Sequence, residues 1–354
     1  MRETAIFIIT AILIGLLGAL LSVWGNPINT GICISCFMEN FSGALKLHNN
    51  LLMQYIRPEM VFIIIGSFLS AVIRKEFNTR YSPSFTHSFL GGVFMIIGSA
   101  VFIGCPIKML LKLAGGDLNS IAGIIGTIFG VWLGVRLLKE NINTSLFKTV
   151  AKSDDKSFFI IPLTFIFLIF LYFFKGELFA ESVSGAGAEK SPIIYSISTG
   201  LIIGIFAQYS RFCVTGSIRN SIILRKFTGF FALALLVLSA VIINVIYGRF
   251  NLGIVGQPGS HTEYLWSFVS MALVGYIAVI IDGCPFRQLV KMGEGDINAF
   301  VCFLGMLIGS AFVQNFKILA DSSGPTLLGK IGVVSGILIF SFLSYNLLLK
   351  NEKN

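Results

Sequence analysis

Charge is what this chain has least of. Of its 354 residues, 12% are Asp, Glu, Lys or Arg, where a soluble domain carries about 25%. A soluble protein of this size cannot cover its surface with so few. That excludes a soluble enzyme, a disordered chain and a disulfide-stapled secreted domain. Histidine is scarcer still. His48, His87 and His261 are read as scattered in loops, and one C-x-x-C pair stands without a second, so no metal site is expected. No P-loop is present, which argues against an ATP-driven pump in this chain. No nucleotide fold or Ser/His/Asp arrangement is present either, and no cofactor is implied. Acid is rare in the apolar stretches. Asp282 reads as the one acid within them, near a stretch's end, so proton coupling finds no support. Hydrophobic residues, by contrast, make up 55% of the chain. The net charge of +9 would suggest nucleic acid binding in a soluble protein. In a membrane protein such an excess sits in cytoplasmic loops.

A spanning helix needs about 20 apolar residues. Ten stretches approach that length: 4–24, 58–73, 88–104, 118–138, 158–174, 193–209, 227–247, 264–282, 296–316 and 332–349. The first is read as a span rather than a signal peptide, because its run is too long and no clean cleavage site follows. Residues 27–41 and 104–116 are semi-apolar, carry Gly or Pro, and are too short to cross. Such segments suit re-entrant half-helices that line an internal cavity.

An internal repeat organises the chain. Residues 104–119 align without gaps on 283–298, an offset of 179, with eight of sixteen positions identical, Gly-Cys-Pro among them. Cys33 and Asn40 correspond to Cys213 and Asn220 at an offset of 180. Five spans per half is an odd number, so the second half enters the membrane inverted. The expected fold is an all-α polytopic membrane protein of about ten hydrophobic spans, built as two inverted repeats with re-entrant half-helices. The repeats are placed at 1–175 and 190–354, with 176–189 connecting them. With all ten stretches crossing, 17 Lys and Arg fall on the N-terminal side and 9 on the other. The positive-inside rule then puts both termini in the cytoplasm. Cys33 and Cys105 enter from the outer face, and Cys213 and Cys284 from the cytoplasmic face.

Cys105 and Cys284 each follow Gly and precede Pro. Pro is favoured at the first helical position, so each Cys falls at or near an N-cap. The half-helix it opens offers free N–H groups and a positive dipole end, which attract anions and lower a thiol pKa. Lys108 and Lys112 lie four apart on that helix, as do Arg287 and Lys291. Like charges at this spacing repel by a few tenths of a kcal/mol. Contact with lipid headgroups would offset that, and so would an anion in each vestibule. Asp117 and Asp296 read as helix N-caps. Cys33 and Cys36 have redox-pair spacing, but the second half has Gly216 where the first has Cys36, so only Cys33 shares the symmetry. Arg211 and Arg219 flank Cys213 as plausible anion guides. Cys302, alone in a Gly-rich span, reads as core. The candidate path is Cys33, Cys105, Cys213 and Cys284, with Lys108, Arg287 and Arg211.

Gly-Cys-Pro-x-[Lys/Arg] in both halves, Gly-Gly-Asp or Gly-Glu-Gly-Asp after it, and Arg-Phe-Cys-Val-Thr-Gly-Ser-Ile-Arg at 211–219 resemble the YeeE/YedE sulfur-transport family. The resemblance covers nearly the whole chain and looks most like the YedE branch associated with selenium metabolism. It implies an hourglass-shaped inverted repeat whose central thiols pass a sulfur-containing anion by S–H···S contacts. That role falls on Cys33, Cys105 and Cys284, with Cys213 as the symmetry mate of Cys33. It also implies a possible partner, a small cytoplasmic sulfur carrier of the TusA/SirA type. The leading expectation is uptake of a small sulfur- or selenium-containing anion across the cytoplasmic (inner) membrane. The alternative is a membrane thiol oxidoreductase or sulfurtransferase using Cys33 and Cys36. A metal permease with soft thiolate ligands is disfavoured by the basic vestibules.

Overall fold

The computed structural model describes residues 2–82, 84–139, 151–153, 159–174 and 176–351. Its helices run in an order that occurs twice. The first half has α1 (Arg2–Val23), the short α2 (Ile34–Ala44), α3 (Pro58–Ile73), α4 (Phe85–Phe102), the short α5 (Pro106–Ala114), α6 (Ser120–Lys139) and α7 (Ile160–Phe174). The second has α8 (Ile193–Ser210), the short α9 (Val214–Leu224), α10 (Thr228–Ile246), α11 (Tyr264–Ile280), the short α12 (Pro285–Gly293), α13 (Ile297–Asn315) and α14 (Leu327–Asn351). Each of the ten expected stretches coincides with a long helix. Eight of these are long and apolar enough to cross a membrane. α3 and α7, of 16 and 15 residues, reach roughly 22–24 Å against about 30 Å of hydrocarbon. Local thinning of the bilayer accommodates such a mismatch at modest cost.

The halves are interwoven rather than side by side. α3 packs along α8 and α1 along α10. α6 packs along α11 and α13 along α4. Equivalent helices also meet each other, α1 with α8 and α4 with α11. The last helices break the symmetry, since α7 lies on α3 while α14 lies on α4 and α11. Apolar burial gives little drive between helices in lipid, so close backbone approach has to supply the packing. α6 provides it with Gly126, Gly130 and Gly134. A Cβ at Gly130 would lie 1.9 Å from the Ala272 carbonyl oxygen of α11.

Two loops extend the exchange. The α3–α4 loop contains β1 (Thr79–Tyr81), which pairs with β2 (Ala151–Ser153). It also lies over the end of α12, with Asn78 N donating to Glu294 O at 3.1 Å and Arg80 N to Gly295 O at 3.2 Å. The α10–α11 loop does the same at the end of α5, where Asn251 N donates to Gly115 O at 2.9 Å and Gly253 N to Gly116 O at 3.0 Å. A second small ladder, β3 (Ala320–Asp321) with β4 (Gly324–Pro325), precedes α14.

Four sequence expectations change or fall outside the structure. His87 lies in α4, not in a loop. Asp296 is the N-cap of α13 and accepts from Ala299 N at 3.0 Å. Asp117 is not a cap, because α6 begins at Ser120; it accepts from Asn119 N at 2.9 Å within the turn before it. Asp282 is not the one acid in an apolar stretch, since Glu59 is the second residue of α3 and is buried. Of the Lys counted for topology, Lys148, Lys156, Lys175 and Lys353 lie outside the described residues.

Candidate functional site

Four cysteines cap four short helices. Cys33, Cys105, Cys213 and Cys284 are the N-cap residues of α2, α5, α9 and α12, all with extended backbone. The two kinds of cap differ. Pro106 and Pro285 occupy the first helical position, where the missing N–H costs nothing. Cys33 and Cys213 have no such proline, and their sulfurs accept from the backbone N–H three residues on, Cys36 N at 3.4 Å and Gly216 N at 3.3 Å. A hydroxyl two residues beyond each sulfur touches it, Ser35 and Thr215, both at 3.2 Å.

The thiols form two pairs, one from each half. Cys213 and Cys284 are 3.6 Å apart at sulfur. Cys33 has the Cys105 thiol beside it and meets the Cys36 sulfur at 2.7 Å. Each cluster presents one sulfur to a cavity. The first cavity, about 460 Å³, opens where α3, α8 and α11 end and is lined by Phe7 near the start of α1. The second, about 430 Å³, opens at the opposite end, where α1 and α4 finish. Cys213 lines the first and Cys36 the second. Cys33, Cys105 and Cys284 are buried behind them, at 1% exposure or less. Cys36, which the symmetry argument leaves aside, is therefore the thiol presented to the second cavity. Its signal in the sequence is the C-x-x-C spacing, which turns it onto the face of the capped sulfur. Cys302 is buried in the core.

The cavities differ in charge. The first is lined by Arg80, Arg211, Arg219, Arg287 and Lys291 against Asp282, Glu294 and Asp296. Most of these are paired. Arg287 holds Glu294 at 3.0 Å, Arg80 holds Glu294 at 2.5 Å and Asp296 at 3.2 Å, and Arg219 holds Asp282 at 2.6 Å. Arg211 has no ion-pair partner among the described residues. It sits at the end of α8 with φ 54°, a left-handed turn that redirects the chain into the Cys213 cap. The second cavity carries Lys108 and Arg57 against Glu39 and Glu189. A basic vestibule is thus present on one side, and a charge-balanced one on the other. Lys108 Nζ lies 3.7 Å from the Cys36 sulfur.

The like-charged pairs are offset within the protein, not by headgroups. Lys112 is 1% exposed, lies 3.7 Å from Asp117 and caps the Phe102 ring at 4.2 Å. Its counterpart Lys291 is 3.6 Å from Asp282 and 3.3 Å from Asp296. Beside the second cavity, Arg57 donates to Asn26 at 3.1 Å and to the Ala186 carbonyl. It ties residues 176–189 to the start of α3, a bond across 129 positions that no local pattern announces.

Comparison with known proteins supplies the family. A family model described as sulphur transport matches residues 2–182 and 209–347. The thiosulfate transporter TsuA of Escherichia coli (strain K12) is 24% identical over 125 residues. That alignment covers 35% of this chain and 35% of the length of TsuA.

Proposed function

Because the chain belongs to the sulphur transport family, we propose that it takes up a small sulfur-containing dianion of the thiosulfate kind along a path lined by its cysteines. It acts as a carrier, with no covalent turnover of its own. The observation that carries this reading is the pair of thiol clusters, each at the N-termini of two half-helices and each presenting one sulfur to one of two opposed cavities. A dianion needs positive ends without a strongly solvated trap, and a helix N-terminus supplies about 0.3–1 kcal/mol when exposed and up to ~2 when partly buried. The thiol is a weak donor that costs little to desolvate and suits a soft sulfur or selenium atom. Arg211 draws the anion into the first cavity, and Lys108 holds it at Cys36 in the second. Arg287 shapes the first cavity through Glu294.

In this reading residues 1–175 and 190–354 are the two repeats, joined through 176–189. Both termini are cytoplasmic, in the inner membrane, so the second cavity faces outward and the first inward. Cys33 and Cys105 receive the anion, and Cys284 and Cys213 pass it on. A small sulfur carrier of the TusA/SirA type collects it at the inner cavity. A selenium species would use the same soft path.

The test is uptake of labelled thiosulfate, with labelled selenite in parallel, into liposomes holding the purified protein and no carrier. Accumulation supports transport. A second reading, a membrane thiol oxidoreductase, is favoured by the 2.7 Å approach of Cys33 and Cys36. Turnover that needs a thiol donor, without accumulation, and equal severe loss in Cys33→Ser and Cys36→Ser, would establish that reading instead.

A further inference from the structure

Five acids are buried among the described residues: Glu39, Glu59, Asp117, Glu294 and Asp296. Four are answered. Glu59 accepts from Asn26 at 2.8 Å and Ser196 at 3.0 Å. Asp117 faces Lys112, and Glu294 and Asp296 face Arg80, Arg287 and Lys291. Glu39 is different. It is 7% exposed and lines the second cavity with Cys36 and Lys108. Its carboxylate accepts from Gln314 at the end of α13, and no described residue forms an ion pair with it.

The repeat sharpens the contrast. At the offset of 180 that relates Cys33 to Cys213, Glu39 corresponds to Arg219. Arg219 lines the other cavity and is paired with Asp282. One symmetry-related position thus holds a permanent cation on one side and a neutralisable acid on the other.

Several charged and titratable groups surround Glu39. On its own helix are Cys33 and Cys36. α5 contributes Lys108 and Cys105, and α13 contributes Gln314. Arg57 and Glu189 line the same cavity; Glu189 is exposed and Arg57 is bonded to Asn26. His48 faces the Glu39 main-chain oxygen at 2.9 Å through Nε2, and its Nδ1 accepts from Asn50 N at 3.2 Å. Those two bonds fix the neutral tautomer, and burial pushes the ring below the ordinary imidazole value.

A dianion drawn to Cys36 by Lys108 shares this cavity with the carboxylate. Negative groups confined together in a low-dielectric space disfavour one another's charge, and the carboxylate is the one able to take a proton. Resting on the transport reading, we infer that Glu39 is a proton-binding site of the outer vestibule, where one dianion and one proton load together. The proton comes from water on that side and adds to a carboxylate oxygen, so no bond in the anion changes. By linkage, the anion raises the proton affinity of Glu39 by the same factor as the proton raises the affinity for the anion. The charge carried inward per anion falls accordingly.

The test is titration calorimetry of the purified full chain with sodium thiosulfate, between pH 6 and 8, in buffers of different ionisation enthalpy. The dependence of the heat on the buffer gives protons taken up per anion bound. The expected result is proton uptake approaching one per anion, with affinity rising up to about tenfold per pH unit lowered. Glu39→Gln should bind with uptake near zero and an affinity flat with pH, and Glu39→Asp should keep the linkage. Wild-type binding without proton uptake, or uptake unchanged in Glu39→Gln, overturns this inference alone. A folded wild-type protein that binds no thiosulfate overturns the transport reading, and this inference with it.

Discussion

Replacing Cys284 with Ala separates a path thiol from a packing thiol. The substitution removes one sulfur from a site with no exposure. Nothing in the cap depends on that sulfur. Cys284 makes no side-chain cap bond, Pro285 fixes the first turn, and Gln288 N donates to the Cys284 carbonyl at 3.0 Å. The lost interaction is the 3.6 Å contact with Cys213, and Cys213 keeps Thr215 and Gly216 N. A single buried atom without its partner should cost about 1 kcal/mol of stability, well under the range for Leu→Ala. Transport should suffer more. One hydrogen bond to a charged group is worth about 1.5–3 kcal/mol, or roughly 10–150-fold in uptake below saturation. Cys302→Ala is the matched control, because Cys302 is equally buried but lies within α13, away from any half-helix N-terminus. Size-exclusion profiles should match wild type for both variants, with uptake of labelled thiosulfate lost in Cys284→Ala and kept in Cys302→Ala. Cys105→Ala should behave as Cys284→Ala, and the double variant should be little worse, since both thiols lie in series. Wild-type rates in both Cys105→Ala and Cys284→Ala would refute the thiol path.

Reporter fusions at both termini should give cytoplasmic signals; a periplasmic signal from either end contradicts the inverted ten-span orientation. Gly130→Leu should part α6 from α11, because its Cβ would lie 1.9 Å from a main-chain oxygen that cannot rotate away. A loss of about 1–3 kcal/mol or more should show as a lower midpoint in thermal unfolding, and an unchanged midpoint would contradict the packing. Arg211→Ala should lower uptake several-fold at low salt and little at high salt, because an unpaired cation acts at a distance that salt screens; a loss independent of ionic strength would assign Arg211 a direct contact instead.

The ten long helices were legible because length and apolarity decide a membrane span without help from distant residues. The four caps were half legible. Gly-Cys-Pro announces α5 and α12 through the rule for proline at helix starts; α2 shows in the semi-apolar segment 27–41, and its cap and that of α9 only in the weaker match of Cys33 with Cys213. The cavities were not legible. The first takes its lining from α1, the α3–α4 loop, α4, α9 and α11–α13, and its pairing of Arg80 with Glu294 joins residues 214 positions apart. Glu39 has no local signature either. It lies in a semi-apolar segment whose neighbours show its half-helix but not the empty space beside it.

The interwoven packing also bears on how the chain is made. α1 finds its main partner in α10 and α3 in α8, so the first half leaves the ribosome with its glycine-lined faces unmatched. At about 5–20 residues per second, roughly 10–40 s pass between the synthesis of α1 and that of α10. During that interval the nascent first half stands in the bilayer as loosely associated helices. Its α5 lacks the α10–α11 loop that later lies over Gly115 and Gly116. Insertion of the second half is therefore also the step that seals the first, and a ribosome stalled after α7 would leave a segment open to membrane proteases.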